Sequence, residues 1–160
     1  MKHVITVKVE NKSGVLARVA GLFSARGYNI DTLTVSETEV SEISVMTIVV
    51  HGDDKIIEQV KKQLNKLIDV IKISDHTNMP SVEREMALIK VSATPVKRPE
   101  IFQLAEVFRA DLASINPKSI TLGVKGDPEK IDNFIELLRP YGIKELRRTG
   151  RISLLKEQTE

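Results

Sequence analysis

The sequence predicts an α+β protein of two tandem βαββαβ units, each an antiparallel sheet with helices on one face. Three observations carry this. The chain opens on an alternation that sets Ile5, Val7 and Val9 against Thr6 and Lys8, the period-2 signature of a half-buried strand. Two apolar stripes at helical spacing then interleave with β-branched runs within about 75 residues. After a polar break around Pro80 the same order of elements recurs, down to a Gly-Asp pair opening the second helix of each unit, at Gly52-Asp53 and Gly126-Asp127.

Each element has its own local reason. Val15, Leu16, Val19, Ala20, Leu22 and Phe23 form the stripe of a first helix, with Ser13 as its expected N-cap and Gly27 where a left-handed C-terminal cap is usual. "NIDTLTV" and "ISVMTIVV", joined by polar "SETEVSE", read as a hairpin with a long loop. Asp53 caps a second helix whose stripe is Ile56, Ile57, Val60, Leu64 and Leu67, and "VIKIS" is the last strand of the unit. "SDHTNMPSVERE" reads as a linker. Beyond it come a strand in "MALIKVSA", a helix entered near Pro99, a hairpin turning at Asn116-Pro117-Lys118, a helix over "GDPEKIDNFIELL" capped by Asp127, and a strand in "IKELRR". Helices on one face of an antiparallel sheet in this order give the ferredoxin-like arrangement. The expected boundaries are 1–76 for the first domain, 77–85 for the linker, 86–156 for the second domain and 157–160 for a tail.

Composition narrows the function. A 160-residue chain is long enough to bury about 70% of its unfolded surface as one fold, whereas two separate domains are each marginal. Lys and Arg total 24 against 22 Asp and Glu, and the excess lies wholly in the second half, too mild a bias to announce nucleic acid. Cysteine is absent, which excludes disulfides and thiolate chemistry. No stretch approaches the roughly 20 apolar residues of a membrane helix, and the N-terminus alternates where a signal peptide would run apolar. The expectation is a soluble cytoplasmic protein. Aromatic residues make up 4%, leaving few platforms for stacking bases.

The turn "NKSG" at residues 11–14 carries the first candidate site. With Ser13 at the cap, the third helical residue is Leu16 and no Glu or Gln closes a capping box. The N–H groups of Gly14, Val15 and Leu16 then face outward at the positive end of the helix dipole, which suits a carboxylate. Asn11 and Asn29 add amide oxygens for an ammonium group, so a free amino acid is a ligand of the right chemistry. A plain capped strand-to-helix turn is the alternative. His3 and His51 could approach across the first sheet, but two histidines without a third ligand do not make a zinc site. The cluster Arg139, Lys144, Arg147, Arg148 and Arg151 reads as a basic sheet edge, solvated or facing another subunit. No Ser/His/Asp set, Walker loop or dinucleotide glycine loop is present, so no catalytic and no metal-binding residue is assigned.

The stretch "ENKSGVLARVAGLFSARGYNIDTLTV" resembles the opening of the regulatory small subunits of acetohydroxyacid synthase, also called acetolactate synthase, whose N-terminal half is an ACT domain. "MTIVV", "EQVKKQLNKLIDVIKI", "VERE" and "GDPEKIDNFIELLRPYGIKELRRTGRISL" extend the likeness over nearly the whole chain. The resemblance implies a homodimer through paired ACT domains, with valine, or else leucine or isoleucine, bound across the interface. Asn11, Gly14, Val15 and Leu16 would come from one protomer, and Asn29 and Ile30 from the other. It further implies a separate catalytic large subunit holding thiamine diphosphate, magnesium and FAD, with no cofactor in this chain, no nucleic acid and no membrane. This chain would activate that subunit and confer feedback inhibition in branched-chain amino-acid biosynthesis. Val45 stands where the family usually has Arg. Two other classes remain open at this stage: a tandem ferredoxin-like RNA-binding protein and a small acylphosphatase-type enzyme.

Overall fold

In a computed structural model, which describes residues 1–157, the alternating N-terminus is strand β1 (Lys2–Glu10), followed by helix α1 (Val15–Ser24). The hairpin comprises β2 (Ile30–Glu37) and β3 (Ile43–His51), after which α2 (Asp54–Leu64) leads into β4 (Val70–Asp75). The second half holds β5 (Ser81–Ser92), α3 (Arg98–Val107), β6 (Asp111–Asn116), β7 (Ser119–Gly126), α4 (Pro128–Leu138), a 3₁₀ turn at Arg139–Tyr141, β8 (Ile143–Arg148) and β9 (Ile152–Leu155). The chain divides into two units, residues 1–82 together with the segment from Ile152 onward, and residues 83–151.

The sheet of the first unit has the order β2-β3-β1-β4, all neighbours antiparallel. The strand alternation turns Ile5, Val7 and Val9 onto the face covered by Val15, Val19 and Phe23 of α1 and Ile57, Val60 and Leu64 of α2, and all nine are buried. Each such side chain contributes about 1.5–3 kcal/mol relative to exposure. In the second unit the path is β6-β7-β5-β8, and Ile89, Val91, Ile120 and Leu122 meet Ile101, Ile131, Phe134 and Leu138 of α3 and α4. The ring of Phe108 stacks on Phe134 with centroids 4.8 Å apart.

Several local expectations are met. Asp53 accepts from the Lys55 N–H, and Asp127 accepts from the Lys130 N–H with Pro128 in the first turn. Gly27 is left-handed at φ 73°, and the Gly27 N–H to Ser24 O and Tyr28 N–H to Phe23 O bonds close α1 in a Schellman motif.

Three expectations are corrected. Ser13 does not cap α1; the cap position belongs to Gly14, and no side chain bonds the helix end. The expected linker 77–85 ends early, because β5 already begins at Ser81: Glu83 pairs with Arg151, and Glu85 lies buried against Arg148, so the charges that suggested a linker are internal ion pairs. The expected second domain, 86–156, gives up its C-terminal segment, since β9 belongs to the first unit. There the Ser153 hydroxyl lies 2.6 Å from His76 Nδ1, His76 Nε2 is 3.1 Å from the Thr6 hydroxyl, and the Lys156 N–H donates to Pro80 O at 2.9 Å. His76 is therefore a buried anchor and no linker residue. The expected tail at 157–160 lies, from residue 158, outside the described residues.

Candidate functional site

The turn after β1 is built from backbone. The Glu10 N–H donates to Asp69 O and the Asn11 N–H to Glu42 O, both at 2.8 Å, so the end of the strand is held from both sides. The Lys12 N–H folds back to Glu10 O at 2.9 Å. Gly14 then takes φ 82° and ψ −12°, a left-handed conformation open to glycine at little cost, and launches α1. The first intrahelical bond runs from the Arg18 N–H to Gly14 O at 3.1 Å. Helix geometry leaves the N–H groups ahead of it without an intrahelical acceptor, and the side-chain cap that would serve them is missing. The Val15 N–H donates to Lys12 O at 3.4 Å, while Leu16 and Ala17 present their N–H groups at the helix end.

The predicted residues take different places around this end. Val15 is buried in the core and its N–H, expected to face outward, is taken up by Lys12 O, whereas Leu16 exposes 43% of its surface beside the turn. The Asn11 amide nitrogen donates to Ser41 O at 2.9 Å and to Glu37 Oε1 at 3.3 Å. Both partners are acceptors, which fixes the amide orientation and leaves Oδ1 as the acceptor facing outward from the hairpin. Lys12, the cation nearest in sequence, is held by Glu10 Oε2 at 2.7 Å, and that hydrogen bond pushes its ammonium pKa up.

Asn29 and Ile30 are not brought to this end within one chain. β1 and β2 both run antiparallel to β3, hence parallel to one another; Glu10 pairs with Ile43, and Ile30 with Val50, seven residues further along β3. At ~3.3 Å per residue that is roughly 23 Å. Asn29 lies exposed at the start of the edge strand β2, whose outer ladder is unpaired within the sheet.

Sequence reasoning missed Arg18. Its Nε and Nη2 both donate to Asp69 Oδ2, at 3.1 and 2.6 Å, and Asp69 is buried. Nη1 lies 3.1 Å from the point where a Gly14 Cβ would stand. One signal could have found it: helical side chains lean toward the N-terminus, so a residue four positions after the cap lies over the first turn. The Asp69 anchor is tertiary and had no local signal.

His3 and His51 are not brought together. His3 faces Val50 and His51 faces Lys2 across the β1–β3 ladder, adjacent positions that point to opposite faces. His3 Nε2 is 3.2 Å from Asp54 Oδ1, and His51 contacts Asp31. Among the described residues no group of three or more His, Asp or Glu could hold an ion. The basic edge is largely neutralised: Arg148 bonds Glu85 and Asp132, Arg151 bonds Glu83 and Arg139 bonds Glu136. Carboxylate hydrogen bonds, opposed by partial burial, hold the Arg148 guanidinium charged beyond its ordinary range. Among the described residues no helix is long and apolar enough to cross a membrane.

Two family descriptions match the two halves of the chain: an AHAS small subunit-like ACT domain over residues 5–72, and the small subunit of acetolactate synthase over residues 84–157. Among curated proteins, one from Archaeoglobus fulgidus named "Probable acetolactate synthase small subunit" is 56% identical over 98% of this chain and 98% of its own length. The acetolactate synthase small subunit of Bacillus subtilis is 50% identical over 94% of this chain and 88% of its own. The crystal structure of the acetolactate synthase small subunit from Thermotoga maritima superposes with a TM-score of 0.89 at 39% identity, covering 99% of both chains. With both halves matched in order and the whole length shared with such relatives, the chain belongs to the acetolactate synthase small-subunit family, and its first unit is an ACT domain.

Proposed function

We propose that this chain is the valine sensor of acetolactate synthase, activating the catalytic large subunit and inhibiting it when valine accumulates. A small subunit has that large subunit as its partner; the ligand, its site and the dimer are this reading's own content. The observation that carries it is the uncapped end of α1, opened by left-handed Gly14 and flanked by an Asn11 amide whose oxygen alone is left to accept. A valine carboxylate gains about 0.3–1 kcal/mol at an exposed helix terminus and up to ~2 when partly buried. Its ammonium finds Asn11 Oδ1.

The distance of roughly 23 Å from Asn11 to Asn29 favours a site shared by two copies. If two β2 edges pair antiparallel about a two-fold axis, the start of one β2 lies beside the end of the other, and Asn29 and Ile30 of the second copy approach the Asn11–Gly14 turn of the first. Valine then bridges the protomers and stabilises the pairing. The cofactors of the reaction, thiamine diphosphate, magnesium and FAD, belong to the large subunit, and the assembly works in the cytoplasm. Coupling typical of allostery, about 1–3 kcal/mol, corresponds to roughly 5- to 150-fold changes, and the large subunit must alter valine affinity by the same factor.

The direct test is Gly14→Asp, which sets a carboxylate where the ligand carboxylate belongs. Calorimetry should show loss of valine binding, and the reconstituted enzyme should be activated but no longer inhibited. Inhibition at the wild-type valine concentration would remove the site from this turn.

A further inference from the structure

Resting on the proposed amino-acid site, we infer that Arg18 is the residue that reads the ligand's carboxylate, held in place for that purpose by the buried carboxylate of Asp69. The guanidinium has five N–H donors. Nε and Nη2 are both committed to one oxygen, Asp69 Oδ2. Asp69 is 7% exposed, and its carbonyl accepts the Glu10 N–H, so the anchor is fastened to the strand that leads into the turn. Nη1 is left over, and among the described residues no acceptor meets it. It is turned back over α1, 3.1 Å from the Gly14 Cβ position, on the side where the glycine leaves the helix end open.

A surface ion pair has no need of this arrangement, since an Arg and a carboxylate pair best as a two-by-two fork. Here both bonds converge on one oxygen, and Nη1 lies beside Gly14 at the start of the helix. Lys12, the other cation close to the turn in sequence, is paired with Glu10 Oε2 at 2.7 Å on the exposed surface and has no buried anchor of the kind Asp69 gives Arg18. A carboxylate at the Gly14 turn would therefore meet backbone N–H groups from the helix and a charged donor from Arg18. The consequence is selectivity: the site would prefer a free amino acid to the same molecule with its carboxylate converted to an uncharged amide. Asp69 in this scheme is a positioning residue.

The experiment is calorimetric titration of the full chain with L-valine and with L-valinamide, for wild type, Arg18→Gln, Arg18→Lys and Gly14→Asp. Arg18→Gln should weaken L-valine by about tenfold or more, as expected for loss of a charged hydrogen bond, with self-association preserved; its unfolding temperature should fall, because buried Asp69 loses its charged partner, but remain above the temperature of the titration. Arg18→Lys should recover part of the loss. If Gly14→Asp abolishes L-valine binding while Arg18→Gln binds it as wild type does, the inference about Arg18 is overturned and the site stands. If Gly14→Asp itself binds normally, the site reading falls and takes the inference with it. Should Arg18→Gln fail to fold, the ratio of L-valine to L-valinamide affinity is read in Arg18→Lys, where it must fall; an unchanged ratio overturns the inference.

Discussion

Gly14 sits at φ 82°, and a side chain there meets two costs. The left-handed backbone costs an L-residue about 1–2 kcal/mol, and a Cβ would crowd Arg18 Nη1. Gly14→Ala should accordingly lower stability in urea by about that amount, with a midpoint shift at unchanged slope. Asp75 makes a separate prediction. Partial burial works against its charge, yet hydrogen bonds from Thr77 and Lys61 hold its pKa below the ordinary carboxylate value. A group whose folded pKa is depressed stabilises the fold above its unfolded pKa and ceases to as pH falls through the folded value. Asp75→Asn should flatten the acid limb of the stability profile below about pH 4, measured by denaturation at a series of pH values. At this scale the turn was legible in part: Gly14 and the missing capping box are local facts, whereas Arg18 needed the Asp69 anchor to be seen.

Helix ends and strand edges answer to slightly longer stretches of chain. Asp53 and Asp127 each accept a backbone N–H in the first turn of their helices. Replacing either by Ala should cost about 1 kcal/mol, read as a lower unfolding midpoint. α1 is different, since its cap position carries no side-chain bond; Ser13→Ala, which a cap at Ser13 would make damaging, should be close to neutral in the same assay. In the second unit, β8 and β5 are joined by the fork from Arg148 to Glu85, whose side chain is 3% exposed. Arg148→Ala leaves that carboxylate buried and unpaired, at a cost of roughly 3–5 kcal/mol, large enough to appear as a displaced melting transition.

At the scale of the whole molecule, β9 returns from the far end of the sequence to the first unit. Its Ser153 hydroxyl and the Thr6 hydroxyl hold the two ring nitrogens of His76, and all three residues are buried. Ending the chain after residue 150 removes this partner and exposes polar groups that β9 now covers. Hydrogen exchange should then accelerate at amides of β1 and β4, although neither strand is altered in sequence. Unchanged protection would mean that β9 contributes nothing to the stability of the ACT unit.

The order of elements as far as β8, the faces of β1 and α2, the caps at Asp53 and Asp127 and the left-handed Gly27 were legible in the sequence alone, because each depends on periodicity or on a side chain bonding its own neighbourhood. The family resemblance was carried by contiguous residues in the same way. Only the tertiary structure decided what requires contact between distant segments. It moved the cap from Ser13 to Gly14, paired Glu83 with Arg151 and Glu85 with Arg148 where a linker was expected, and joined Arg18 to Asp69. It also brought β9 onto His76. Charges and hydroxyls reveal nothing of their partners to a local reading, since their cost or benefit depends on what burial places beside them.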